Sequence, residues 1–442
     1  MPVPFSAQVQ KTMAMASGAG ASATSTTTTT TMKPLFSFGV IADIQYADAD
    51  DGEDFKKTVV RRYRNTLRIL HEAVDHWLGQ ENEIGYPVQL IAQLGDIIDG
   101  RCHEKDGGNE DICLARVMAE LQRIKLPRLD VIGNHELYNF SREQLLDVNN
   151  GPLQSARNDD PILLGQASTW YSYSPASGVR FIVLDAYDVS MLNATNADNT
   201  AAATLILSEK NPNNFEEKGV DWTAGLSGKD QRFVPYNGAI GRSQLEWLRA
   251  TLVAAQSSSE KCVVLSHISL VPGACSISCC IWNYGEVLEV LHNPTMTVTA
   301  KSSAHGSLKS HTVAEFGPTP VVCCLYGHAH KGGYRIDRRG IHHITFQAPL
   351  EAVGDEMAFA TVDLMDDYLV VRGQGRVTSH EHLEYPTREH EAIDVAHGVI
   401  DEFSLSKLMD AAGIEDRTTA LDLLLLHDGI LSEALRSCTS SL

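Results

Sequence analysis

The sequence predicts a mixed α/β fold in which two packed sheets are flanked by helices. Three observations predict it. Short β-rich apolar runs alternate with helix-period segments from residue 35 onward, as strands do when helices cover them. After Gly340 the helical periods stop and strand-like runs follow one another to Val377. Five short polar motifs also stand directly behind strand-like runs.

In chain order, Leu35 to Ile44 reads as a buried strand, and Val60, Tyr63, Leu67, Leu70, Val74 and Trp77 recur at helical spacing. Val88 to Leu94 is the next strand and Ile112 to Ile124 the next helix. Leu129 to Ile132, Arg180 to Asp185, Lys261 to Leu265 and Val321 to Tyr326 are short β-rich runs, with a helix over Gln244 to Leu252. His342 to Gln347, Ala358 to Leu364 and Tyr368 to Arg372 read as a meander. Residues 188 to 240 carry turn signals at Asn211-Pro212 and Pro235-Tyr236-Asn237-Gly238 and read as a long loop insert, which in a compact domain points to function.

Three segments are expected along the 442 residues. Residues 1 to 34 have no Asp or Glu and carry a threonine tract from Thr26 to Thr31, so a disordered tail is expected. A transit segment is the alternative, although only Lys11 and Lys33 supply positive charge. Residues 35 to 385 form the main domain; 386 to 442 form a helical extension. No run of about 18 uninterrupted apolar residues exists, so no membrane span is expected. A net charge of −20, from 36 basic and 56 acidic residues, repels phosphate backbones and argues against nucleic acid as partner. Nine cysteines, several inside apolar runs, suit a reducing compartment, and a cytoplasmic monomer is expected. Cys275, Cys279 and Cys280 lack a second Cys/His pair at zinc-finger spacing.

The five motifs are Asp43-Ile44-Gln45, Gly95-Asp96-Ile97-Ile98-Asp99-Gly100, Gly133-Asn134-His135-Glu136, Ser266-His267 and Gly327-His328-Ala329-His330. Carboxylates, carboxamides and imidazoles are the hard and borderline donors that first-row divalent metals accept. Their common place behind strands makes one binuclear metal centre the economical reading. The set resembles the calcineurin-like metallophosphoesterases, with Gln45 where that family usually has His. Together with Phe36 to Asp48 and Leu184-Asp185-Ala186-Tyr187-Asp188, this departure resembles the manganese-dependent ADP-ribose/CDP-alcohol diphosphatases.

The resemblance implies the metallo-dependent phosphatase fold, a four-layer αββα sandwich of two mixed sheets. It also implies hydrolysis of a nucleoside diphosphate derivative, ADP-ribose or a CDP-alcohol, by a metal-activated hydroxide. Asp43, Gln45, Asp96 and His330 would hold one metal; Asp96, Asn134, His267 and His328 the other, with Asp96 shared. His135 would be the general acid or phosphate hydrogen-bond donor, oriented by Asp99. Glu136 reads as structural. Gln45 offers a neutral oxygen in place of a nitrogen, so Mn²⁺ is preferred, with Mg²⁺ as second choice; otherwise Gln45 is only a hydrogen-bonding neighbour.

Phe55 is a candidate to pack on a base or ribose, and Arg62, with Arg61 and Arg64 at the opening of the next helix, to neutralise the distal phosphate. An exposed basic face is the alternative for the arginines. Cys279 and Trp282 are candidates for the leaving-group pocket, Trp282 equally for the core. The acidic run from Asp48 to Asp54 reads as a solvated loop, and His305, His311, His342 and His343 as ordinary structural histidines. The rivals are a phosphomonoesterase, protein phosphatase or cyclic-nucleotide phosphodiesterase on the same fold, and a metal-free interaction scaffold. Ile132 and Gly100 stand where protein phosphatases of this type carry Arg, and a scaffold should have lost ligands.

Overall fold

A computed structural model describes residues 33–79, 86–103, 108–146, 169–192, 194–217, 219–294 and 319–387. The tail up to residue 32, the extension from residue 388, His305 and His311 lie outside the described residues.

The chain runs through β1 (Phe36–Ile41), a hairpin of β2 (Gly52–Glu53) and β3 (Val60–Arg61), α1 (Asn65–Gly79), β4 (Ile91–Gln93), α2 (Glu110–Leu121) and β5 (Arg128–Asp130). Short helices α3 (Asn134–Asn139) and α4 (Arg142–Leu145) precede β6 (Tyr171–Ala176), β7 (Val179–Val183), β8 (Val189–Ser190), α5 (Ala197–Lys210) and β9 (Gly238–Ala239). Next come α6 (Arg242–Ser257), β10 (Lys261–Ser266), α7 (Tyr284–His292), β11 (Val321–Tyr326) and β12 (Lys331–Ile336). The described chain closes with β13 (His342–Gln347), β14 (Ala358–Leu364), β15 (Tyr368–Gly375) and β16 (His380–Glu384).

Two six-stranded sheets result, ordered β16-β15-β14-β1-β4-β5 and β12-β13-β11-β10-β7-β6. In the first sheet β1, β4 and β5 pair in parallel at one end and β14, β15 and β16 add on antiparallel at the other; in the second, β7, β10, β11 and β13 are parallel and the edge strands β6 and β12 antiparallel. Period-two alternation builds the core. Phe36, Phe38, Val40 and Ala42 on one sheet meet Phe181, Val183, Val263 and Leu265 on the other, with Phe38 edge-on to Phe181 at 4.9 Å. The other face of β1 takes α1, where Trp77 packs so closely on Gly39 that a Cβ there would stand 2.5 Å from the indole. Truncating Trp77 to Ala would cost about 3–5 kcal/mol. Helices on the two outer faces complete the αββα order.

Four local expectations are corrected. The helix starts at Asn65, because Val60 and Arg61 pair with Glu53 and Gly52. Asp54 closes that hairpin by accepting the N–H groups of Thr58 and Val59, so Arg61, Arg62 and Arg64 precede the helix. The late strands are not one meander, since β13 belongs to the second sheet and β14 and β15 to the first. Residues 188 to 240 are not a structureless insert either. They hold the 14-residue α5, capped by Asn196 accepting the Asn199 N–H. It buries only Ala203 and Leu207, so no apolar stripe announces it.

Candidate metal centre

The C-terminal ends of β1, β4, β5, β10 and β11 bring the five polar motifs together, where open α/β sheets usually bind ligands. Asp43, Gln45, Asp96 and His328 all have left-handed backbones, with φ of 51°, 41°, 60° and 66°. A non-glycine residue there costs about 1–2 kcal/mol, so surrounding bonds must hold each one. For Asp96 the holder is Glu136. Its carboxylate accepts the N–H groups of Asp96 at 2.8 Å, Ile97 at 2.6 Å and Gly133 at 2.7 Å. The motif glycines make room for the cluster: a Cβ on Gly133 would lie 2.1 Å from Asp96 Oδ1, and one on Gly95 2.3 Å from His267 Nδ1.

Ligand atoms of Asp43, Asp96 and His267 lie within 4.8 Å of one another, all buried. His267 Nε2 stands 3.3 Å from Asp96 Oδ2 and 4.0 Å from Asp43 Oδ1; His330 Nε2 is 3.7 Å from Asp43 Oδ1. Gln45 donates its amide nitrogen to Asp96 Oδ2 at 2.8 Å, while Gln45 Oε1 and His267 Nε2 are buried without hydrogen-bond partners among the described residues. Such orphaned acceptors beside two buried carboxylates are what a divalent cation satisfies. Burial opposes charge on His267, while Asp96 and Asp43 raise its imidazole to about 9, a sign of how strongly the two carboxylates favour positive charge at this point. The residues therefore fit the metals the motifs imply. Gln45 combines both expected parts, a bond to the shared carboxylate and a free oxygen.

Each ligand histidine is oriented through its second nitrogen. His267 Nδ1–H donates to the Leu94 carbonyl at 2.8 Å, leaving Nε2 to bind metal. His330 Nδ1 meets Glu351 Oε1 at 3.0 Å, so its Nε2 faces Asp43; Arg376 stands 3.6 Å from the other Glu351 oxygen. His328 Nε2 meets Asn237 Oδ1 at 2.9 Å, which leaves Nδ1 as its ligating atom. Burial, then His267, hold the His328 imidazole well below its ordinary range, in the neutral form a ligand needs. Asn134 Oδ1 accepts from the Tyr187 hydroxyl at 3.0 Å. Asp185 fixes that tyrosine by accepting its N–H and by pairing with Arg142, which explains the Asp185-to-Asp188 motif.

The remaining expected site residues divide. His135 Nε2 lies 3.9 Å from Asp96 Oδ2, but its Nδ1 accepts the Gly100 N–H at 2.7 Å. Asp99 is 3.4 Å away and spends Oδ1 on the Arg101 N–H. The backbone of Gly100, not Asp99, thus sets the His135 tautomer, with Nε2–H as donor. Arg62 is corrected outright: its N–H and guanidinium bond the Leu350 and Ala352 carbonyls, clamping the segment that carries Glu351. Arg61 instead lines, with Arg101, His135 and Tyr138, a cleft of about 600 Å³, its Nε buried without a partner among the described residues.

Phe55, 65% exposed, lines a second cleft of about 540 Å³ with Phe215, Trp222, Tyr236 and Ser278. Tyr236 packs on the ring of His328 at 5.7 Å. Cys279 follows Ser278 but is not in that lining, and Trp282 is core, packed with Val189, Leu207 and Phe233. His342 and His343 are buried structural residues as expected.

No protein-family model matches the sequence. Curated relatives do. A manganese-dependent ADP-ribose/CDP-alcohol diphosphatase of Arabidopsis thaliana is 36% identical over 351 residues, 78% of this chain and 96% of the relative. The enzyme of that description from Homo sapiens is 35% identical over 347 residues, 78% and 91% of the two chains. A solved dimetal phosphatase from Danio rerio superposes with a TM-score of 0.66 at 35% identity, covering 80% of this chain and all of the other.

The chain belongs to the manganese-dependent ADP-ribose/CDP-alcohol diphosphatase family. The candidate ligands of the metallophosphoesterase motifs stand out in the sequence because each motif follows a strand. Glu351, Asn237 and the part played by Tyr187 were missed, while Arg61 was named only together with Arg62 and Arg64. Glu351 and Asn237 stand 21 and 91 positions from the histidines they orient, and no local spacing signals such pairs. The Leu184-to-Asp188 stretch did single out the Tyr187 neighbourhood.

Proposed function

We propose that this chain hydrolyses the diphosphate bond of ADP-ribose and of CDP-alcohols, giving a nucleoside monophosphate and a phosphorylated partner, with Mn²⁺ as its preferred metal. The observation that carries the reading is the placement of the metal cluster against two clefts of different chemistry. The aromatic cleft reaches it through Tyr236 on His328, and the basic cleft through His135 beside Asp96. A nucleoside diphosphate derivative has the matching parts, a flat base, a charged diphosphate and a polar second group.

Bound divalent metals would neutralise phosphate oxygens and lower the pKa of water. The chain does the rest. Phe55, Trp222 and Tyr236 offer flat faces to the base. Arg61 meets a phosphate oxygen with a guanidinium already stripped of partners at Nε, which matters in a protein of net charge −20. His135 Nε2–H donates to phosphate or to the departing oxygen. Asp96, shared between the two ligand sets, keeps the site anionic enough to hold two cations. The partner is a small molecule acted on by a monomer in the cytoplasm, and the strong negative charge disfavours nucleic acid.

The test is a panel of nucleoside diphosphate derivatives, phosphomonoesters and cyclic nucleotides, with Mn²⁺ and with Mg²⁺, products resolved by chromatography. ADP-ribose and CDP-choline should yield AMP and CMP, faster with Mn²⁺. Turnover confined to phosphomonoesters or cyclic nucleotides would reject the reading.

A further inference from the structure

Asn237 sits at the foot of β9 with no exposed surface. Its Nδ2 donates to the carbonyls of Arg232 at 2.9 Å and Ser278 at 2.8 Å. Both donor hydrogens are therefore committed, and the amide cannot flip without setting its oxygen against two carbonyls. Asn237 Oδ1 is thus locked as an acceptor, 2.9 Å from His328 Nε2. That acceptor holds the proton on Nε2 and the lone pair on Nδ1. The same residue adjoins the aromatic cleft twice over. Tyr236 before it lines the cleft and packs on His328, and Ser278, whose carbonyl it holds, lies in the cleft wall.

We infer that Asn237 is a positioning residue: it fixes His328 for metal binding and ties that ligand to the cleft proposed for the base. The inference rests on the metal reading, and nothing in the motifs assigns it. Asn237 arrives from the segment between β8 and β9, outside every metal motif.

Asn237→Ala removes the acceptor and both donors. Asn237→Asp keeps an acceptor for His328 but gives up the two donor hydrogens. Mn²⁺ titration of metal-stripped protein, read by calorimetry and electron paramagnetic resonance without substrate, separates the roles. Wild type should bind two Mn²⁺; if it binds none, the metal reading itself fails. With two bound, Asn237→Ala should weaken one of them about 10–100-fold, the usual effect of losing such a partner, while Asn237→Asp, which keeps the acceptor for His328 but sets its second oxygen against the Arg232 and Ser278 carbonyls, should weaken it less. ¹⁵N resonances of His328 should move from the Nε2–H tautomer to a mixture in Asn237→Ala and stay put in Asn237→Asp. This readout needs no metal, so it stands even if the alanine variant is less stable. Unchanged Mn²⁺ affinity and tautomer in Asn237→Ala would overturn the inference. So would equal weakening in both variants, which would make Asn237 a tie for the loop alone.

Discussion

Glu136 Oε2 accepts the backbone N–H of Asp96 at 2.8 Å, and this bond keeps the shared carboxylate in its left-handed backbone. Among the described residues, the Glu136 carboxylate bonds backbone N–H groups alone. It is fully buried and sits one residue from His135, yet it acts by shaping the loop. Glu136→Gln would aim amide hydrogens at N–H groups and leave at least one unpaired. A loss of about 1–3 kcal/mol follows from the desolvated donors, with weaker metal retention because Asp96 is released. Thermal melts together with metal analysis check this. A variant of wild-type stability holding both metals would show that the three N–H bonds are idle.

Glu351→Gln tests how His330 is held. The amide can still accept from His330 Nδ1–H, so its orientation survives, but the negative charge that makes the imidazole a better donor is gone. Mn²⁺ affinity should fall towards the lower end of the 10–100-fold range for such partners, and Glu351→Ala should fall further. Calorimetric titration of the two variants decides it, and equal, wild-type affinities would remove Glu351 from the centre.

Gln45→His replaces the orphaned oxygen with a nitrogen donor. Binding should tighten for Co²⁺ or Zn²⁺ relative to Mn²⁺, and the metal-activation profile should move away from Mn²⁺. Superimposable titrations for wild type and variant with the three metals would mean that Gln45 serves Asp96 only as a hydrogen-bond donor.

Away from the metal centre, the second sheet carries a buried polar knot that predicts a pH dependence of stability. Asp337 Oδ2 meets His292 Nε2 at 2.7 Å and His343 Nε2 at 3.0 Å, while His343 Nδ1 faces the Tyr326 hydroxyl. Burial holds the His343 imidazole below its ordinary range, with the Asp337 bond pulling the other way. A folded pKa below the unfolded one means that the unfolded chain binds more protons. This contribution is present above about pH 6.5 and is lost as pH falls through the folded value. Melting temperature, measured with metal in excess, should decline below pH 6.5, and His343→Gln should remove part of that decline. An unchanged decline in the variant would exclude His343.

The sandwich and most ligands were legible because period-two apolar runs and the motifs that follow them are local signals. Val321 to Tyr326 and His342 to Gln347 appear with the bounds read from sequence. What depends on tertiary pairing was not legible. Arg61 faces the cleft and the Arg62 guanidinium the Ala352 carbonyl because the β2–β3 hairpin fixes which neighbour points inward. The helix α5 hid because it buries so few residues, and the sheet of β13 was misread because β11 pairs with it across 15 residues that include β12.

The proposed chemistry depends above all on Asp96 holding a pair of metals at the junction of the two clefts. Metal content of Asp96→Asn beside wild type tests it most directly, by mass spectrometry after Mn²⁺ loading and removal of free ion, with circular dichroism to confirm the fold. Wild type should hold two Mn²⁺ per chain, and a folded Asp96→Asn variant well under one. Two ions per chain retained by that variant would contradict this.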